Sequence, residues 1–380
     1  MRRPLALALL LALLPFVAQA QTPHHHHHSH ERTIDFPDVP GYETLKVDLH
    51  IHTVFSDGDV WPTVRVEEAV RDGLDAVAMT DHLEYQPHQD DIPHPNRNRS
   101  FEIAQAAADG HDLIVINGSE ITREMPPGHA NAVFVEDANR LLEDDPMTVF
   151  REAERQDAFA FWNHPMWTAQ RPSGVAALTD MHRMLIEENL LDGIEVVNAN
   201  WYSAEALQIA LDHDLTILGT SDIHGLIDWE YEVHHGGHRP TTLAFVTERS
   251  ADGLKEALMA GRTAVWHNNL LIGRAEHLAP LLGASLKVTG ARYQGDTAVL
   301  DVFIENTSDA EFVLDNRSDY TFHTRSDIIT LAPHTTTRLA VKPGQRVDAV
   351  TLSFDVLNAV TAPETHPTIT FDVSVPAGDE

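Results

Sequence analysis

Between residues 45 and 266 the chain repeats one pattern, a short apolar run followed by a segment with apolar positions at helical spacing. The runs fall at residues 45–49, 76–79, 113–116, 132–135, 159–162, 194–197, 217–218 and 243–246. Runs so short and so uniformly apolar predict strands buried on both faces. The segments 64–71, 147–156, 204–211 and 251–260 predict helices, the last stopped at Gly261. Strand and helix alternating over short connections predict parallel strands joined by crossover helices. Seven or eight such units point to an α/β fold, a (β/α) barrel over residues 41–275.

Beyond Leu286 the helical spacing disappears. Alternating runs at 299–304, 335–341, 350–356 and 369–375 are separated by turn pairs such as Gly295-Asp296 and Pro343-Gly344. This pattern predicts a small C-terminal antiparallel β-sandwich over residues 280–380. No cluster of reactive side chains lies there, so a chain cut near Ala279 is expected to keep its chemistry.

The amino-terminal segment reads differently. Arg2 and Arg3, an apolar run over 5–14 and Ala18-Gln19-Ala20 have the layout of a secretory signal peptide over residues 1–20. The apolar run is too short to span a bilayer. Residues 21–40 carry a histidine tract at 24–28, His30 and several prolines without periodicity, which predicts a disordered leader. The tract reads as native, a capture site for Zn²⁺ or Cu²⁺, rather than as an inserted tag. A periplasmic or secreted location follows. With no cysteine in the chain, neither a disulfide nor a lipoprotein anchor is expected, and no other membrane anchor. The net charge of −32, deepened by two if Arg2 and Arg3 leave with the signal, disfavours nucleic acid and anionic membranes as partners.

The candidate chemistry lies at the strand ends. His50 and His52 sit two apart beyond the first run, so both rings can face one ion. Asp57 follows, then His82 after the second run, Glu120 after the third, His164 after the fifth, and Asp222 and His224 after a later one. His129 alone precedes its run, as expected if that strand doubles back. Loops after the strands are where barrels build active sites. Six imidazoles and three carboxylates are too many for one ion, and mixed nitrogen and oxygen donors suit Zn, Mn or Fe. Two to three divalent ions are therefore expected. Asp48 and Asp81 are candidates to orient the imidazoles. Arg123 and Arg171, on loops at the same face, are candidate clamps for a phosphate. Trp167, Trp201 and Tyr202 could stack on a leaving group.

These segments resemble the polymerase and histidinol phosphatase (PHP) family, over roughly residues 43–270. The resemblance implies a distorted (β/α)7 TIM-like barrel and a trinuclear centre. It implies that His50, His52 and Asp222 hold one ion, that Glu120, His129 and His164 hold a second, and that Asp57, His82 and His224 hold a third. Glu120 would bridge the first two. The implied activity is hydrolysis of a small phosphate ester by metal-bound hydroxide, with Glu120, Asp222 and His224 closest to the chemistry. Two alternatives stay open, an amidohydrolase-like cleavage of C–N bonds and a non-enzymatic metal-binding surface protein. Many amidohydrolases bridge two ions with a carboxylated lysine after a middle strand. Here the barrel has only Lys46, in the first run, and Lys255, on a late helix.

Overall fold

A computed structural model describes residues 33–375; the expected signal peptide and the histidine tract lie outside the described residues. The strands β1 (Glu43–Asp48), β2 (Ala76–Met79), β3 (Ile114–Ile121), β4 (Ala130–Val133), β5 (Phe159–Trp162) and β6 (Gly193–Asn198) pair in that order. A short β7 (Trp201–Tyr202) turns back on β6, and β8 (Thr216–Thr220) runs parallel to β6 on its other side. An isolated parallel bridge between Ile51 and Ile223 brings the β1 and β8 ends together and closes the distorted seven-stranded barrel. Its interior is filled from all round, by Leu45, Val47, Ala78, Ile116, Val133, Phe161 and Leu218. The helices α1 (Pro62–Asp72), α2 (Arg99–Ala107), α3 (Pro146–Arg155), α4 (Asp180–Glu187) and α5 (Ala204–Asp212) follow their strands, and a single turn, α6 (Ile227–Glu230), follows β8.

The strands are not all parallel. β4 is antiparallel to both β3 and β5 because only eight residues separate it from β3, too few for a crossover. After β8 the sheet continues antiparallel from the edge of β1 through β9 (Thr241–Val246), β10 (Thr263–His267) and β11 (Leu270–Gly273). Between β9 and β10, α7 (Ala251–Met259) places Leu254 and Leu258 in the same interior cluster as Leu45. It plugs the barrel at the starts of the strands.

Helix α8 (Ala275–Ser285) leads into the carboxy-terminal domain. Strands β12 (Leu286–Tyr293), β13 (Leu300–Asn306), β14 (Phe312–Asn316), β15 (Thr321–Phe322), β16 (Ile328–Leu331), β17 (Thr336–Lys342) and β18 (Ala349–Val356) come before β19 (Ala359–Val360) and β20 (Thr368–Ser374). They form two four-stranded antiparallel sheets, β12-β13-β17-β15 and β16-β14-β18-β20. In β18, Val350, Leu352, Phe354 and Val356 are buried and alternate with more exposed positions, the period of two that a sandwich strand requires. β19 leaves the sandwich and adds itself in parallel to β11, pairing Leu271 with Ala359. The Asn358 amide beside it donates to the carbonyls of Asn269 and Glu311, one from each side of the junction. A cut near Ala279 would fall inside α8 and strip β19 from the barrel sheet, so the two domains share a strand pairing as well as a linker.

The end of the expected disordered leader is also ordered. Ile34, Phe36 and Val39 are buried, and the Ile34 amide donates to the Asp72 carbonyl. Phe36 meets Trp266 edge to face at 5.1 Å. Three apolar side chains among prolines have no periodicity to reveal them, yet all three join one buried cluster with Val66 of α1 and Trp266 of β10. Among the described residues, no helix is long and apolar enough to cross a membrane.

Candidate metal centre

All nine expected donors converge at the carboxyl ends of the barrel strands. Beyond β1 the chain stays extended, so His50 and His52 point the same way, their Nε2 atoms 3.0 Å apart. Asp222 Oδ1 lies 3.2 Å from His50 Nε2 and 3.0 Å from His52 Nε2. Glu120 is inside β3 rather than after it, because pairing with β4 extends that strand to Ile121. Its Oε1 lies 3.0 Å from His129 Nδ1, 3.3 Å from His164 Nε2 and 3.5 Å from His50 Nε2. Its Oε2 lies 2.5 Å from His82 Nδ1. Asp57 comes within 3.2 Å of His224 Nε2 and 3.4 Å of His82 Nε2. His129 reaches the cluster because β4 runs backwards. The backbone is left-handed at His164 (φ 28°) and Asp222 (φ 49°), a conformation costly for side-chain-bearing residues and frequent at functional sites.

A second layer, mostly invisible in the sequence, fixes these groups. Glu195, fully buried in β6, accepts from His50 Nδ1 at 2.8 Å, from the His164 amide at 2.6 Å and from the Thr220 hydroxyl at 2.6 Å. With its Nδ1 proton held there, His50 turns its Nε2 lone pair to the cavity. Asn163 donates to Glu120 Oε1 at 2.8 Å. The buried Arg65 of α1 donates to the carbonyls of His52, Ile223, His224 and Gly225, clamping the loops after β1 and β8 together. Asp48 and Asp81 hold backbone and hydroxyl groups instead of the expected imidazoles. Asp48 accepts from Ser221 and Arg239, and Asp81 from Thr53 and Ser56. Only through Ser56, 3.4 Å from His52 Nδ1, does Asp81 reach a ring.

The donors fit divalent ions. Asp57 Oδ1 and Glu120 Oε2 are buried and accept no hydrogen bond, although imidazole nitrogens approach both. Three overlapping groups lie within ligating reach: His50, His52 and Glu120; His82, Glu120 and His129; and His52, Asp57, His82 and His224. His52 and His82 thus stand between sets that the family pattern keeps separate. Burial disfavours a charged His50, but Asp222, Glu195 and Glu120 outweigh it and raise the ring well above its ordinary value. For His82 burial likewise opposes the charge, and Glu120 and Asp57 prevail, giving about 10. For His52 burial, with the neighbouring His224 and His82, prevails over Asp222 and Glu120, and the ring falls to about 4. Glu120 and Asp222 are held below the carboxylate range by these imidazoles in spite of burial. So much buried negative charge calls for cations, and divalent ions supply them while leaving the imidazoles neutral.

Beside the donors lies a cavity of about 320 Å³, walled by Trp167, Asn198 and Trp201 and by every donor except His50 and His52. Arg123 and Arg171 do not line it. Arg123 is bound to Glu84 at 2.8 Å and to the carbonyls of Glu143 and Asp144, and Arg171 donates to the Ala177 carbonyl. Proximity in sequence to Glu120 put Arg123 on the right loop, but the acidic neighbours turn it away. Lys46 is paired with Asp75 and Lys255 with Asp157, so neither reaches the donors.

A model of the PHP domain matches residues 48–212, and one of an Ig-like domain matches residues 286–372. Comparison with curated proteins finds no match. Among solved structures, a two-domain protein from Bacteroides vulgatus containing a predicted PHP-like metal-dependent phosphoesterase is 41% identical, with a TM-score of 0.84 over 90% of this chain and 98% of that one. A putative metal-dependent phosphoesterase from Bifidobacterium adolescentis is 19% identical over 47% of this chain and 88% of that one, with a TM-score of 0.37. An amidohydrolase from Chromobacterium violaceum is 17% identical over 47% and 87%, with a TM-score of 0.35. The barrel, its cluster of donors, and an identity of 41% along nearly the whole chain agree: this protein belongs to the PHP-like family of metal-dependent phosphoesterases and carries an Ig-like domain behind its barrel.

Proposed function

We propose that this chain is a periplasmic or secreted hydrolase of small phosphate esters that works with two to three divalent transition-metal ions, Zn, Mn or Fe. The observation that carries the reading is the convergence of nine nitrogen and oxygen donors in one cluster, with Glu120 facing five histidines at once. His50, His52, Asp222 and Glu120 would hold one ion, and Glu120, His129 and His164 a second. Asp57, His82 and His224 would hold a third. Bound there, such ions activate a water and neutralise phosphoryl oxygens and the leaving alkoxide. The protein's own groups do the positioning. Glu195 keeps the Nδ1 proton of His50 and the backbone of His164 in place, and Asn163 fixes the rotamer of Glu120. His224, at the cavity mouth, donates from Nδ1 to the Asp222 carbonyl, which leaves Nε2 facing Asp57. Trp167 and Trp201 narrow the access of bulk water. The export of the chain rests on the sequence of residues 1–20.

The test is a panel of phosphomonoesters, phosphodiesters and amides, assayed with each metal on the purified mature chain. Phosphate esters are expected to turn over only with metal, and amides not at all. Glu120→Gln and His52→Ala should each lower that turnover by several orders of magnitude while circular dichroism stays unchanged. Preferential amide cleavage, or a Glu120→Gln variant with wild-type turnover and metal content, would overturn the assignment.

A further inference from the structure

Past His164, Trp167, Asn198 and Trp201, the metal cavity continues into a second one of about 490 Å³. Met166, Thr168, Gly174, Tyr202, Ser203 and Glu205 complete its walls. Trp167 and Trp201 are 45% and 70% exposed, although rings of this size gain much from burial. They are not loosely held. Trp201 pairs with Asn198, and Tyr202 with Val197, across the β6–β7 hairpin, whose tight return passes through Ala199 at φ 49°. Immediately afterwards Ser203 caps α5 by accepting from the Ala206 amide at 3.1 Å. The faces of Trp201 and Tyr202 are therefore presented by fixed backbone beside the ligand set.

The charges of the two cavities differ. Neither is lined by lysine or arginine. In the second, the one carboxylate is Glu205, which approaches the Ser203 hydroxyl at 3.2 Å. Burial and Glu205 both raise the Tyr202 phenol above its ordinary value, so that ring stays neutral. An anionic leaving group, such as one carrying a second phosphate, would meet Glu205 without any counter-charge. A neutral aromatic one would stack but draw nothing from Glu205, which is exposed at the rim. A cation over the faces of tryptophan and tyrosine, beside a carboxylate, uses both the aromatic walls and the charge of the cavity.

We propose that the second cavity is the leaving-group subsite and that it selects a small soluble phosphoester whose alcohol carries an ammonium group, a quaternary choline-type head fitting it best. The inference rests on the phosphoester reading above. Phosphate would sit at the metal centre and the cation next door, against Trp167, Trp201 and Tyr202.

The experiment compares kcat/KM of the metal-replete full chain for phosphocholine, for its neutral isostere 3,3-dimethylbutyl phosphate and for phenyl phosphate. Phosphocholine is expected to exceed the isostere by about two- to fivefold, the range of a cation–π contact at exposed rings. Trp201→Ala and Glu205→Gln should each shrink that ratio towards one. In parallel, calorimetry with tetramethylammonium should show saturable binding to the full chain, weakened in Trp201→Ala. Equal kcat/KM for phosphocholine and its isostere overturns the proposal, as does a preference for phenyl phosphate that Glu205→Gln leaves intact. If no phosphoester is turned over but tetramethylammonium binds, the phosphoester reading fails while the cation subsite stands; if esters turn over without the preference, the reverse holds.

Discussion

Glu195 shows how much of a metal site is carried by residues that touch no metal. One carboxylate, fully buried, holds the ring of His50 and the backbone of His164, two donors from different strands. Glu195→Gln keeps the shape but cannot accept the Nδ1 proton as strongly, so metal affinity should fall by about 10- to 100-fold, as for other partners of ligating imidazoles. Competition with a fluorescent chelator measures it. Arg123→Ala, in contrast, should leave KM for a phosphoester unchanged in steady-state assays, because its guanidinium is bound to Glu84 outside the cavity. Away from the site, His182 stacks on Trp162 at 3.9 Å and is lowered to about 4 by burial, with Arg171 adding to it. The unfolded ring takes a proton as pH falls through 6.5, while the folded one resists until about 4. The stability it contributes is therefore present above 6.5 and lost through that window, by roughly 3 kcal/mol. Denaturant unfolding of His182→Gln at pH 7 and at about 4.5, inside that window, should show a shallower loss than the native chain. The nine donors were legible because histidines and acids just after apolar runs are conspicuous. Glu195 and Arg65 were not, since one acid within an apolar strand, or one arginine on a helix, resembles ordinary surface charge until the fold buries it.

The elements turn these residues into a site. Arg65 sits on the first turns of α1, whose packing beneath the loops lets a single guanidinium reach four carbonyls. Arg65→Ala leaves those carbonyls and Glu68 buried without their partner, a change worth about 3–5 kcal/mol. It should also loosen His52 and Asp222 together. Metal analysis and thermal unfolding of the variant should report both losses, and unchanged metal content would show that the loops hold themselves. Gly58 is needed for the same reason. A Cβ there would lie 2.7 Å from the backbone of His52 and Thr53, so the loop bearing Asp57 could not fold back over them. Most strands were legible to within a few residues, because barrel strands buried on both faces read as plain apolar runs. The reversal of β4 left one sign, His129 preceding its run. The hairpin of β10 and β11 left none, since its turn at Asn268 and Asn269 lies in a stretch with no helical segment to mark a unit.

At the scale of the molecule, the carboxy-terminal domain is part of the barrel's structure. One apolar cluster runs from Phe36 and Trp266 through Leu278 and Leu282 to Val302 in the sandwich, and on to Phe354. A chain ending at Ala279 would lose β19 and the second half of α8, so it should be insoluble or unfolded, as size-exclusion chromatography and circular dichroism would show. A soluble, metal-binding fragment would contradict that. The division at about residue 286 was legible from the change in period, but the return of two residues to β11 was too short to read. Metal bound only by the folded state should also raise the melting temperature with its concentration, and a chelator should lower it. The central claim is that several ions, shared through Glu120, carry phosphoester hydrolysis. It is tested most directly by titrating metal-stripped full chain with Mn²⁺ or Zn²⁺ while following hydrolysis of a phosphoester against ions bound per chain. Activity should rise with occupancy and level off between two and three ions; a plateau at one ion, or turnover that ignores the metal altogether, would contradict it.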